Sequence, residues 1–359
     1  MAPFPLPPID LRFRTPIRIL HPSYTTPTNG LLSFPRVDRV HGRHFYIWPR
    51  FGVHYGTALL ACQIVAGNAF NTGRLTFDQA GQRLVELLSD NILTEEVYYF
   101  MVGGGPNQYP ILPIFRDWEF PHGLIPDSWP QLSTTPNTTR CAISNFSFPV
   151  EGAHLVPKNE FLYMEPRWFS DNNDSVNIAP LKADLRKCFD AQWFAIVPKV
   201  IETTTAHSPR YVTHILQRQA AEVWPTYHDT TVQYLDSAAH PYLFARFAWA
   251  ILLQVKPFIT AGFSRHVIRI STNGEGKTEY KLEHLSGLQL QNYYSGGGPQ
   301  GATPKRKSKT DTVADEDHFM GPSGEDSDVN MDNDWEDTMD ERQQAGKGEK
   351  KSDIERIYG

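Results

Sequence analysis

Cys141-Ala-Ile-Ser-Asn-Phe146, Glu151-Gly-Ala-His154-Leu-Val-Pro157-Lys-Asn-Glu160 and Asn177-Ile-Ala-Pro-Leu-Lys-Ala-Asp184-Leu-Arg-Lys-Cys-Phe-Asp190-Ala-Gln-Trp-Phe-Ala-Ile-Val-Pro-Lys199 decide the reading of this 359-residue chain. Only here do polar residues recur at spacings that suggest chemistry. Cys141–Ser144 and Gly152–Val156 are short β-like runs separated by Asn, Ser and Pro, which predicts a hairpin with a long connection. Leu181, Leu185, Cys188 and Phe189 fall at helical spacing, predicting a helix over Leu181–Asp190, and Trp193–Val197 is strand-like again. The order strand, strand, loop, helix, strand sets His154 against the polar helix face that carries Asp184 and Asp190.

Taken in order, these residues resemble the HNH, or ββα-metal, endonuclease module of fungal HNH nuclease domain-containing proteins. The likeness rests on Cys141, Glu151-x-Ala153-His154-Leu155-Val156-Pro157, Asn177, Asp184-Leu185-x-x-x-Phe189-Asp190 and Phe194-x-Ile196-Val197-Pro198-Lys199. It is weaker outward, through Phe115-Arg116-Asp117-Trp118-x-Phe120-Pro121-His122 and Leu243–Ala250. The resemblance implies that His154 takes a proton from the attacking water, that Asn177 holds the loop and orients the base, and that a divalent metal polarises the phosphate.

One letter departs from the family pattern. Where that pattern reads Asp-Leu-His, this chain reads Asp184-Leu185-Arg186, and a permanently protonated guanidinium has no lone pair for a metal. The remaining candidate ligands are Glu151, Asp184 and Asp190, a carboxylate set suited to magnesium or manganese. Alternatively, Arg186, with Lys182 and Lys187 nearby, grips phosphate directly. Three functions follow: a metal-dependent endonuclease, a degenerate module that binds nucleic acid without cutting, and a nuclear interaction protein acting through its charged tail. For the first two the implied partner is nucleic acid, DNA ahead of RNA.

Composition frames these readings. The net charge of -6 is unevenly placed: residues 1–294 are almost balanced, and the excess acid lies beyond Ser295. Three scattered cysteines, Cys62, Cys141 and Cys188, make neither a disulfide framework nor a zinc knuckle and fit a reducing compartment. The proline-rich start, Met1–Pro8, lacks the basic and apolar regions of a secretory signal. Phe51–Gly73 and Leu243–Val255 are apolar, but polar residues or a closing Lys256-Pro257 keep both short of a membrane span, so they are expected as buried helices and no membrane partner is implied.

The expected architecture is α+β: a Pro-rich segment over 1–35, an α+β region over 36–130, the HNH-like module over 131–205, a helical cap with short strands over 206–294, and a disordered tail over 295–359. Strands are predicted at Leu11–Leu20, Val40–Trp48, Val97–Val102, Tyr109–Phe115, Val267–Ile270 and Tyr280–Leu282. Helices are predicted at His54–Ala66, Phe77–Ser89, Arg210–Val223 and Pro241–Val255. His41, His44 and His54 match no metal-ligand spacing and read as structural or exposed. The Gly103-Gly104-Gly105-Pro106 run is a turn, since no Lys-Ser or Lys-Thr pair follows it.

The tail is too poor in aromatic and branched residues to offset the cost of ordering it. Lys305, Arg306, Lys307 and Lys309 form a basic cluster that resembles a nuclear localisation signal and would be read by an import receptor. Asp311–Glu341 then carries 13 acidic residues and no Lys or Arg, a charge suited to basic protein partners. A nuclear or cytoplasmic location, without secretion, follows from these features.

Overall fold

A computed structural model describes residues 10–40, 50–86, 91–103, 108–132, 134, 139–161, 175–202, 207–272 and 278–295. The predicted Val40–Trp48 strand falls mostly, and the basic cluster and acidic run wholly, outside the described residues. Residues 1–301 form one compact unit, and a continuous core runs within it from Leu11 to Tyr294.

The N-terminal part is built on two small sheets. Strands β1 (Ile17–Leu20), β2 (Gly30–Phe34), β5 (Gly73–Thr76) and β7 (Val97–Val102) make one in the order β2-β1-β7-β5, with β1 parallel to β7 and the other pairs antiparallel. Strands β3 (Asp38–Arg39), β4 (Phe51–His54) and β6 (Ile92–Leu93) make the second, with β4 central. Gly52 is required there: a Cβ would stand 2.0 Å from the Leu93 carbonyl oxygen. Helix α1 (Tyr55–Val65) follows β4 directly, and its His54 cap accepts the Thr57 N–H through the ring.

Next in the chain come β8 (Val150–His154), the single turn α2 (Lys158–Phe161), β9 (Ile178–Lys182) and α3 (Ala183–Asp190). β8 and β9 are antiparallel, with Glu151 opposite Leu181 and His154 opposite Ile178, and α3 packs on both. Strands β10 (Phe194–Glu202) and β11 (His207–Ile215) form a long hairpin, followed by α4 (Trp224–Tyr227), α5 (His240–Gln254) and α6 (Lys256–Thr260). A last hairpin, β12 (Arg265–Thr272) with β13 (Thr278–Leu285), leads into α7 (Gly287–Tyr294).

Helix α5 is buried around most of its circumference and packs against α1 and β10, as expected for a helix apolar on all sides. The longer run Ser237–Thr260 has the length and composition to cross a membrane, but 67% of its apolar window is buried inside the fold.

Four local expectations are corrected. Cys141–Ser144 is a turn, closed by Asn145 N–H to Cys141 O and Cys141 N–H to Phe146 O; the second strand of the hairpin is Ile178–Lys182, on the far side of the long connection. Phe77–Leu84 is also a turn, because the Asp78 carboxylate takes the N–H groups of Gln82 and Arg83 and competes with helix formation. The start of the predicted Arg210–Val223 helix is strand: Tyr211, Val212 and Ile215 fit the pleated surface against β10. Tyr109–Phe115 makes only an isolated bridge, Ile111 to Val267, before a short 3-10 turn at Phe115–Asp117.

Candidate functional site

β8 and α3 bring together the residues that the sequence singled out. Glu151 lies on the exposed part of β8, His154 at the end of that strand, and Arg186 and Asp190 one helical turn apart on α3. Gly152 allows the close pairing beneath them, since a Cβ would meet Ile178 at 2.9 Å. The Arg186 Nη1 donates to Glu151 Oε2 at 2.8 Å, and its Nε stands 3.5 Å from Asp190 Oδ2. None of the described residues hydrogen-bonds Arg186 Nη2.

Asn177 is wholly buried and works on the backbone. Its Oδ1 accepts the Val156 N–H at 2.9 Å, its Nδ2 donates to Val156 O at 3.3 Å, and its own carbonyl accepts the Leu155 N–H at 2.8 Å. These bonds fix the chain just after His154, so the histidine enters the site from a rigid strand end. Burial lowers the His154 pKa below its ordinary value, and Lys158 and Arg186 lower it further while Asp190 opposes them. The ring is therefore neutral at pH 7, the form in which imidazole accepts a proton. Among the described residues its buried Nε2 has no hydrogen-bond partner.

The other sequence candidates are placed apart from this group. Asp184 accepts from Lys182 Nζ at 2.9 Å and from the Leu185 N–H, and is not bonded to Arg186. Burial raises the Asp184 pKa, but Lys182 and backbone donors outweigh it and the net shift is downward. Lys187 is in the last turn of α3 and makes no ion pair among the described residues.

Two residues outside the module tie it down. Arg246, inside α5, donates to the carbonyls of Leu155 and Phe189, one beside each half of the site, and its guanidinium lies 3.8 Å over the Phe189 ring. Arg116 pairs with Glu160 of α2 at 3.3 Å. Both belong to the outlying stretches with weaker likeness, but nothing in their sequence spacing announces carbonyls or acids far along the chain as partners.

Residues 141–197 match a family model described as HNH endonuclease. Over these residues the chain is similar to an HNH endonuclease domain. No curated protein and no solved structure matches the chain.

HNH domains usually hold a divalent metal, and the donor set here decides whether one fits. Glu151 and Asp190 already share the Arg186 guanidinium, so a cation between them meets a fixed positive charge. As arranged, this cradle does not fit a metal.

A second polar cluster escapes sequence reasoning. Asp38 of β3, His214 of β11 and His228 offer ligand atoms within 4.8 Å of one another. Lys199 Nζ stands 2.5 Å from Asp38 Oδ1 and 2.6 Å from Asp229 Oδ1, His228 Nε2 donates to Asp38 Oδ1 at 3.0 Å, and the His54 N–H bonds Asp38 Oδ2 at 2.6 Å. The His228 Nδ1 accepts the Ile215 N–H at 3.3 Å, which places its proton on Nε2. An ion would have to displace both that proton and the Lys199 ammonium. Burial raises the Asp38 pKa, yet Lys199, His214 and His228 hold it well below the ordinary carboxylate value. Partners 161 and 190 residues apart in sequence leave no local signal.

Proposed function

We propose that this protein acts on nucleic acid as an HNH-type phosphodiesterase in which Arg186 replaces the metal as the resident cation. The observation that carries this is a His154 held at the end of β8 next to a helix whose Arg186 guanidinium bonds two carboxylates, Glu151 and Asp190. In this reading His154 accepts the proton of the attacking water, and Arg186 presents Nη2 to a phosphate oxygen and offsets charge that develops on it. Glu151 and Asp190 aim the guanidinium, Asn177 holds the strand end, and the ββα arrangement of the family supplies the frame. Lys182 and Lys187 add phosphate contacts.

A second reading is favoured by the same ion pairs, which cancel much of the Arg186 charge: a module that binds the phosphate backbone and does not cut. DNA is proposed ahead of RNA as the partner. Import through Lys305, Arg306, Lys307 and Lys309, and basic partners for the acidic run, are proposals that rest on the tail sequence alone.

Supercoiled plasmid and single-stranded RNA, offered with magnesium, manganese or a chelator, test the reading. Slow cutting that survives the chelator and disappears in His154→Ala is the expected outcome. Arg186→His, which restores the family's helix ligand, should make cutting dependent on added metal. An inert wild type beside an active Arg186→His would sink hydrolysis and leave the binding module.

A further inference from the structure

The turn before β8 presents two large aromatic side chains to solvent beside the candidate site. Phe148 is 83% exposed and Phe146 is 62% exposed. A single exposed apolar residue needs no explanation, but these two are separated by one residue and follow a turn tied down by hydrogen bonds as far as Phe146. Cys141 N–H donates to Phe146 O at 2.8 Å, Arg140 donates to Asn145 O at 2.8 Å, and Tyr234 OH donates to the Asn145 side chain at 2.8 Å. Asn145 itself adopts the left-handed conformation, φ 59°, that makes the sharp turn. Fixing the loop in advance lowers the ordering cost of using its rings for binding.

A cation stands beside Phe146. Lys182 Nζ is 5.9 Å from the centroid of the Phe146 ring, and Lys182 pairs across the hairpin with Val150, two residues after Phe148. Its bond to Asp184 joins two partly exposed groups, a kind of pair that holds little energy and is readily shared with another anion. Lys182 closes β9 and is directly followed by α3, which carries Arg186. The Phe146 ring and the Lys182 ammonium thus stand together at the end of β9, where the helix that carries Arg186 begins.

We infer that Phe146 and Phe148 form a base-stacking platform, with Lys182 taking the adjoining phosphate, and that the preferred ligand is single-stranded or locally unpaired nucleic acid. A duplex hides its base faces in the stack, whereas a single strand offers each base to an aromatic ring. The inference rests on the nucleic-acid reading above and adds the class of strand and the residues that choose it.

Fluorescence anisotropy with a labelled mixed-sequence DNA oligonucleotide, single-stranded or annealed to its complement, tests this on the full chain. The wild type should bind the single strand at least tenfold more tightly, and Phe146→Ala with Phe148→Ala should remove most of that preference. Phe146→Tyr with Phe148→Tyr should retain it and Phe146→Leu with Phe148→Leu should not, which separates stacking from mere bulk. Equal affinity for the two forms, or an unchanged preference in the alanine variant, overturns the platform while leaving nucleic-acid binding intact. Absence of binding to either form overturns the broader reading as well. Both side chains are exposed, so the substitutions spare the core, and unchanged circular dichroism provides the control.

Discussion

Two clusters in this fold share one plan, a basic side chain between two carboxylates, and differ in where water stands. In Glu151–Arg186–Asp190 every side chain is partly exposed; in Asp38–Lys199–Asp229 the lysine and Asp38 are buried and only Asp229 reaches solvent. At the surface such pairs contribute about 0–1 kcal/mol. In the interior, removing one partner strands a charge, at a cost of about 3–5 kcal/mol. The same chemistry is therefore open to solvent in one place and part of the architecture in the other.

Acid should expose the largest difference. His54, beside the buried cluster, has its pKa pulled down from 6.5 to about 3 by burial and then by Lys199, and His214 shifts the same way for the same first reason. The unfolded chain takes up these protons first, so their contribution is fully present above about pH 6.5 and is lost as pH falls toward 3. Urea unfolding between about pH 7 and pH 4 should lose on the order of several kcal/mol. A flat profile would mean that these imidazoles reach solvent.

Lys199→Met comes next. It leaves Asp38 buried with only histidine and backbone donors, and should cost about 3–5 kcal/mol in the same assay. A loss below about 1 kcal/mol would place the buried cluster in the energetic class of the surface one.

Arg186→Met should have the smallest effect on stability, within about 1 kcal/mol, because its two acids remain hydrated. Its effect should appear in binding: weaker retention of oligonucleotide and a shallower dependence of affinity on salt, as one phosphate contact is lost. Unfolding of this variant would show that the surface cluster is structural after all.

The module was legible in the sequence where local pattern and tertiary structure agree. Gly152–Val156 overlaps β8, Leu185 and Phe189 mark the buried side of α3, and Phe194–Val197 begins β10. Glu151, His154, Arg186 and Asp190 meet because they sit on those elements. Legibility failed where a side chain redirects the backbone, as Asp78 does, or where β-branched residues fall by chance at helical spacing, as in Val212 and Ile215. It failed wholly for the buried cluster, because charge pairs between distant segments leave no period. His54, read as structural, caps α1 and also supplies a backbone donor to Asp38.

Arg246 sets a boundary on portability. The family likeness ends at Val197, yet the carbonyl after His154 and the one before Asp190 both take their hydrogen bonds from a residue in α5. A fragment cut at the edges of the likeness would retain the chemical groups, lose this clamp and expose Phe189. Any graft, fusion or truncation that aims to move the module must carry α5 with it.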